Sequence, residues 1–268
     1  MLLQTVVIVN YIFQLVWIVL QLVVAGFLSV KMIKTKSYNL IPLILFFLIS
    51  SLRILIYILP SSTLILSLFL IQLPNISLLI FTKLTFFRKK KSPFKIFLIT
   101  LIIVRSLDFM IRLNFQISIP MTYPLDESNL IYYIYILFSI TISFLLSHMW
   151  LGIVALKYYN SLKTINIDPW IKKRYQLIGL GSFVYSFSIF LYYFIPYNVP
   201  GAFVFPNIIY GYIVLVFTIY YSLCMFFAWI MPKRLKIFFD KDFTRPIDKE
   251  YSESELMDII QKGLSENK

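Results

Sequence analysis

Charged residues are scarce in this sequence. Only 14% of the 268 residues are charged, whereas 60% are hydrophobic and 18% are aromatic. Soluble domains contain about 25% charged and about 45–50% apolar residues. A water-soluble fold could not bury this much apolar surface, so we predict that the main partner of the chain is the lipid bilayer.

Cysteine and histidine are nearly absent. The single cysteine, Cys224, excludes an intrachain disulfide. The single histidine, His148, excludes a multi-histidine metal site, and no HExxH motif occurs. Asp108 is the only acidic residue in the long apolar runs, which excludes an intramembrane protease with two catalytic aspartates. We therefore expect no metal, no cofactor and no enzymatic activity.

The apolar residues form continuous runs, unlike the alternating pattern of barrel strands. Only helices and closed barrels satisfy the backbone inside lipid. We therefore predict an all-α integral membrane protein, in which a seven-transmembrane-helix bundle forms a domain over residues 1–231. At about 20 residues per span, the predicted spans are 5–30, 40–60, 63–87, 94–115, 130–155, 175–195 and 207–231.

The basic residues predict the orientation of the bundle. Lys31, Lys34 and Lys36 follow an uncharged first run, which is also too long for a signal peptide. With the N-terminus outside and the C-terminus cytoplasmic, the three outer loops contain no Lys or Arg, and each inner loop contains several. The net charge of +13 then reflects topology and anionic lipid headgroups, and we expect no nucleic-acid partner. The expected location is the cell membrane.

The residues after the last span, 232–268, form a predicted cytoplasmic tail. Residues 232–239 are basic and aromatic, which is typical of a segment at the membrane interface. Ser252 and Glu255 fit a capping box ahead of an apolar stripe. We expect a short amphipathic helix that binds a cytoplasmic signalling protein, with a solubilising tail as the alternative.

Ionisable residues within the apolar runs are the candidate site. Arg105, Asp108 and Arg112 follow a spacing of three and four residues, which places them on one helix face. Arg53 lies at a similar depth in the second span and could pair with Asp108. Since buried charges usually face the bundle interior, we hypothesise a pocket open to the outside that receives a small anionic ligand. In the alternative, Arg53 and Arg105 clamp Asp108 while Arg112 reaches the headgroups.

Two further polar positions mark the interior. Pro74 and Asn75 interrupt the third run, which predicts a kink with a local polar gap. His148 is a candidate proton-sensitive group, with interhelical hydrogen bonding as the alternative.

No motif identifies a family. The last span has no lysine for a retinal Schiff base, and the receptor triplet of acid, arginine and aromatic is missing after the third. The predicted topology resembles that of G-protein-coupled receptors and that of sugar transporters of 3+1+3 helices, at the level of fold alone. We expect a receptor or sensor that binds a small ligand or lipid within the bundle and signals through a cytoplasmic partner. The alternative is a small-solute transporter built from 3+1+3 helices.

Overall fold

A computed structural model describes residues 2–58, 64–87, 91–115, 130–163, 167–194 and 205–241, and the regular secondary structure in these ranges is helical. The α-helices are α1 (Leu2–Thr35), α2 (Ile41–Ile58), α3 (Leu64–Leu70), α4 (Leu73–Phe86), α5 (Phe94–Phe115), α6 (Leu130–Phe144), α7 (Trp150–Leu162), α8 (Pro169–Phe187), α9 (Phe205–Trp229) and α10 (Lys233–Phe239). Short 3-10 helices, Tyr38–Leu40 and Ser188–Phe194, precede α2 and follow α8.

The helices pack largely in the order of the chain, and α9 returns to contact α1. α1 contacts α2 and α9, α2 contacts α4, and α8 lies between α7 and α9. α5 packs against α4 and α6. A π-helical turn, Leu145–Met149, joins α6 to α7 in one rod, and this turn also contacts α4 and α8. The π turn therefore packs against both α4 and α8 within the bundle.

Five stretches of these helices are long and apolar enough to cross a membrane, namely Tyr11–Thr35, Tyr38–Ile56, Leu68–Phe86, Ile134–Leu162 and Tyr212–Trp229. α5 and α8 are also long, but α5 carries Arg105, Asp108 and Arg112, and α8 begins with a run of basic residues. The structure supports an all-α membrane protein, and the count of seven spans stays a prediction.

The outward faces of the bundle are apolar. Val19 is 58% exposed on α1, Ile103 is 55% exposed on α5, and Val216 is 64% exposed on α9. Soluble monomers rarely expose a large contiguous apolar surface. Contact with lipid chains is the environment that suits these side chains.

Helix boundaries differ from the predicted spans at several points; α1 continues to Thr35 and α7 to Leu162, past the predicted ends at residues 30 and 155. The third run is divided at Gln72 into α3 and α4, because Pro74 occupies the first turn of α4. The helix of the sixth predicted span, α8, begins at Pro169, six residues before the predicted start at residue 175. Asp168 and Pro169 are residue types that favour a helix N-terminus, so the basic residues after them lie in α8 and not in a loop. α5 coincides with the predicted range 94–115.

Basic residues from α1 and α8 meet at Trp229 on α9. The Arg174 guanidinium on α8 lies 3.8 Å from the Trp229 ring centroid. From α1, Lys31 Nζ donates to the Trp229 carbonyl at 2.6 Å. Trp229 therefore ties α1 and α8 to the end of α9.

α10 follows as the predicted basic and aromatic segment. Lys236 Nζ lies 4.1 Å from the Trp170 ring centroid, while Ile237 and Phe238 are about 70% exposed. An exposed apolar face beside basic residues suits a membrane interface. The capping box at Ser252 and the rest of the tail from residue 242 lie outside the described residues.

Candidate functional site

A buried carboxylate on α5 organises the candidate site. Asp108 is fully buried, and Arg112 Nε donates to its Oδ2 at 3.0 Å. Arg105 Nη1 forms a longer ion pair with the same oxygen at 3.6 Å. The spacing of three and four residues brings both guanidinium groups to Asp108 from the flanking turns of one helix.

A residue between α3 and α4 also contacts this carboxylate. Gln72 Nε2 donates to Asp108 Oδ2 at 3.2 Å and also contacts the Leu68 carbonyl oxygen at 3.2 Å. Gln72 lies at the break between α3 and α4, which Pro74 produces in the first turn of α4. The break turns the Gln72 side chain toward Asp108 on α5. Sequence reasoning missed Gln72, although a polar residue two positions before a proline in an apolar run was a usable signal.

The structure brings Arg105, Asp108 and Arg112 together. The alternative in which Arg112 reaches the headgroups is wrong, because Arg112 is fully buried against Asp108. Arg53 is partly exposed on α2, makes contacts of its own, and acts electrostatically on Arg105. The bonds described for Asp108 come from α5 and from Gln72, so the expected Arg53 to Asp108 pair is not among them.

A cavity of about 410 Å³ lies beside this charge cluster, between the α3 to α4 break and α5. Arg105, Gln72 and Ser106 are its polar residues. Its apolar lining consists of Phe69, Leu73, Ile76, Ile102, Phe109 and Met110. Pockets of about 300–1,000 Å³ with an apolar lining and a few polar groups are typical of small-molecule sites.

Within the part of the chain that the structure describes, several polar atoms of the cluster lack hydrogen-bond partners. They are Arg105 Nε and Nη1, Gln72 Oε1 and Asp108 Oδ1. Buried polar groups are satisfied in the great majority of cases, because an unsatisfied one costs about 1–3 kcal/mol. Arg105 and Gln72 both line the cavity, so a cationic and an amide residue form part of its wall.

His148 occupies a second polar position, within the π turn. Its ring lies 4.8 Å from Tyr185 on α8, 5.1 Å from Tyr221 on α9 and 5.6 Å from Phe46 on α2, measured between centroids. Its Nδ1 has no hydrogen-bond partner in the described structure. Aromatic packing from three other helices therefore defines its environment, in contrast to the interhelical hydrogen bond considered from the sequence.

Asn75 connects the two polar regions. Ser147 Oγ, within the π turn, donates to Asn75 Oδ1 at 3.1 Å. Asn75 is buried and lies one turn after Gln72, since three residues separate them. The first turn of α4 thus contacts the Asp108 cluster on one side and the residue before His148 on the other.

Comparison with models of protein families, with curated proteins and with solved structures finds no match to this chain.

Proposed function

We propose that this chain is a membrane receptor or sensor that binds a small ligand or lipid within its helical bundle and signals through a cytoplasmic partner. The observation that carries the proposal is the position of Arg105, which is buried, ion-paired to Asp108, and part of the cavity wall. Ionisable groups in membrane helices are costly and usually functional.

The packing also supplies a route from ligand to signal. Gln72 touches the charge cluster, Asn75 follows one turn later, and Ser147 links Asn75 to the π turn. His148 then contacts α2, α8 and α9 through aromatic rings. A ligand that shifts α3 and α4 would repack these helices, two of which end at the basic face around Trp229.

The test uses full-length protein in nanodiscs, with a fluorophore on a cysteine introduced at the exposed Arg234 in a Cys224→Ser background. A panel of anionic metabolites, amino acids, sugars and lipids is screened for thermal stabilisation, and the hits for a fluorescence change. A sensor gives both responses, and Arg112→Ala weakens both. Stabilisation without any change at Arg234 would contradict signalling through the cytoplasmic face.

A small-solute transporter is the second candidate, favoured by the break between α3 and α4 beside the cavity. Discontinuous helices line the substrate sites of many transporters. Uptake of a labelled hit into sealed vesicles, compared with uptake by vesicles that contain Arg105→Gln, decides between the two functions. Concentrative or counterflow uptake assigns transport, whereas binding without uptake assigns sensing.

A further inference from the structure

We propose that the cavity between the α3 to α4 break and α5 binds a single-chain carboxylic acid drawn laterally from the bilayer. The acyl chain lies against the apolar lining, and the carboxyl group meets Arg105. This inference rests on the proposed function and names the ligand class of the same site.

The walls select an amphiphile. The apolar residues of the lining outnumber the polar ones, which are Arg105, Gln72 and Ser106. Phe69, Ile102 and Met110 are about half exposed, so they form an apolar rim on the outer surface of the bundle. A sugar or a free amino acid would leave several polar groups in contact with these side chains, at a cost of about 1–3 kcal/mol for each unsatisfied group.

The polar end of the cavity matches a carboxyl group. Arg105 is the cationic residue of the lining, and Gln72 adds an amide group. An ionised carboxylate accepts from the guanidinium, and a protonated one also donates its O–H to Gln72. Asp108 is outside the lining, and its Oδ2 is already engaged by Arg105, Arg112 and Gln72. The bound carboxyl group therefore meets Arg105 beside its ion pair with Asp108.

Depth separates a free acid from a phospholipid headgroup. Arg105 lies near the middle of α5, about 15 Å from either end of the helix. With α5 spanning the bilayer, this position is close to the centre of a hydrocarbon core about 30 Å thick. A phosphate headgroup on two acyl chains stays at the interface, whereas a single-chain acid enters the hydrocarbon as the neutral species and reaches Arg105 from the side.

The experiment measures saturable binding of tritiated palmitic acid to full-length protein in nanodiscs. Competitors separate the parts of the ligand: hexadecanol has the chain without the carboxyl group, acetate has the carboxyl group without the chain, and dioleoyl phosphatidate has a phosphate on two chains. The expected order is tight competition by palmitate and weak competition by hexadecanol, with none by acetate or phosphatidate. Equal competition by hexadecanol or by phosphatidate would overturn the proposal.

Matched variants test the two halves of the cavity. Arg105→Gln removes the charged donor while Arg112 and Gln72 still hold Asp108, and it should weaken palmitate binding about 10- to 100-fold. Ser106→Phe fills the cavity beside the charge cluster and should abolish binding. Ile103→Phe adds the same ring at an outward-facing position outside the lining and should leave binding unchanged. Unchanged binding in both Arg105→Gln and Ser106→Phe would overturn the proposal.

The reporter at residue 234 separates this inference from the proposed function. Saturable, Arg105-dependent palmitate binding with a silent reporter upholds the ligand class and removes the sensor. A reporter response to another ligand, without palmitate binding, upholds the sensor and removes the ligand class.

Discussion

Ser147 Oγ lies 3.1 Å from Asn75 Oδ1 and donates a hydrogen bond across the interface between the π turn and α4. The hydroxyl has a single hydrogen, which it shares between Asn75 Oδ1 and the Ser143 carbonyl oxygen at 2.6 Å. The bond therefore fixes the first turn of α4 to the middle of the α6 and α7 rod. Because Gln72 precedes that turn, covalent backbone and one side-chain bond connect the Asp108 cluster to the rod.

Asp108→Asn should destabilise the fold strongly. Arg105, Arg112 and Gln72 converge on Asp108 Oδ2, and the substitution leaves two buried guanidinium groups without their counter-charge. Breaking a buried ion pair in this way costs about 3–5 kcal/mol. Cys224 is buried and is the single cysteine, so the temperature at which a thiol-reactive dye labels it reports unfolding.

The combination with Arg105→Gln is the matched test of that charge argument. The double variant Arg105→Gln with Asp108→Asn removes one positive charge with the negative one, so it should recover part of the lost stability. If the free energy of unfolding of Asp108→Asn lies within about 1 kcal/mol of the wild-type value, a structural role for the ion pair is contradicted.

His148 should tolerate an aromatic replacement better than truncation. Three rings from other helices surround it, and its Nδ1 has no partner in the described structure. His148→Phe keeps most of the packing, whereas His148→Ala leaves a cavity that costs about 2–5 kcal/mol. Thermal unfolding of both variants measures the difference. Equal destabilisation would show that the imidazole nitrogens, not the ring packing, are required.

Gly181→Ala should destabilise the contact between α8 and α9. A Cβ atom at this position would lie 2.6 Å from Cys224 Cβ, which is fixed to the backbone of α9. We expect a loss of about 1–3 kcal/mol in the free energy of unfolding. Gly26→Ala is the control, because a Cβ there meets nothing within 4 Å. It should be neutral or stabilising by up to about 1 kcal/mol, and a matching loss in both variants would contradict the packing argument.

Trp229→Leu should loosen the basic end of the bundle. The Arg174 guanidinium stacks 3.8 Å from the Trp229 ring centroid, and such a desolvated cation–π contact contributes about 2 kcal/mol. Trp229→Phe keeps an aromatic face and should lose less stability than Trp229→Leu. Hydrogen exchange at the ends of α8 and α9 measures the local effect, and indistinguishable exchange in the two variants would exclude a role for the ring.

The membrane character and the arginine and aspartate face follow from sequence pattern alone. Continuous apolar runs indicated helices in lipid, and the spacing of Arg105, Asp108 and Arg112 placed them on one side of α5. α5 begins at Phe94 as predicted, because Pro93 directly precedes an otherwise helical run.

Tertiary contacts account for what the sequence left open. Gln72 reaches Asp108 because a backbone break turns it toward α5, and no periodicity within the third run specifies that direction. The predicted start of α8 is six residues too late, because a basic run such as Lys172, Lys173 and Arg174 is typical of a loop, whereas Pro169 begins the helix. The π turn depends on how the rod packs against α4 and α8, which no local propensity encodes.

Because of the π turn, the packing of the rod depends on the number of residues that it contains. An α-helix advances by about 100° per residue, so the extra residue within Leu145–Met149 rotates the faces of α7 relative to a straight continuation of α6. Ser139, Ser143 and Ser147 form a ladder that ends at this turn, and Gly152 begins the close approach to α8. Deleting Leu146 would restore regular helix yet turn Tyr158 and Leu162 away from their neighbours. In this rod, the number of residues in the π turn sets which faces of α7 meet the neighbouring helices.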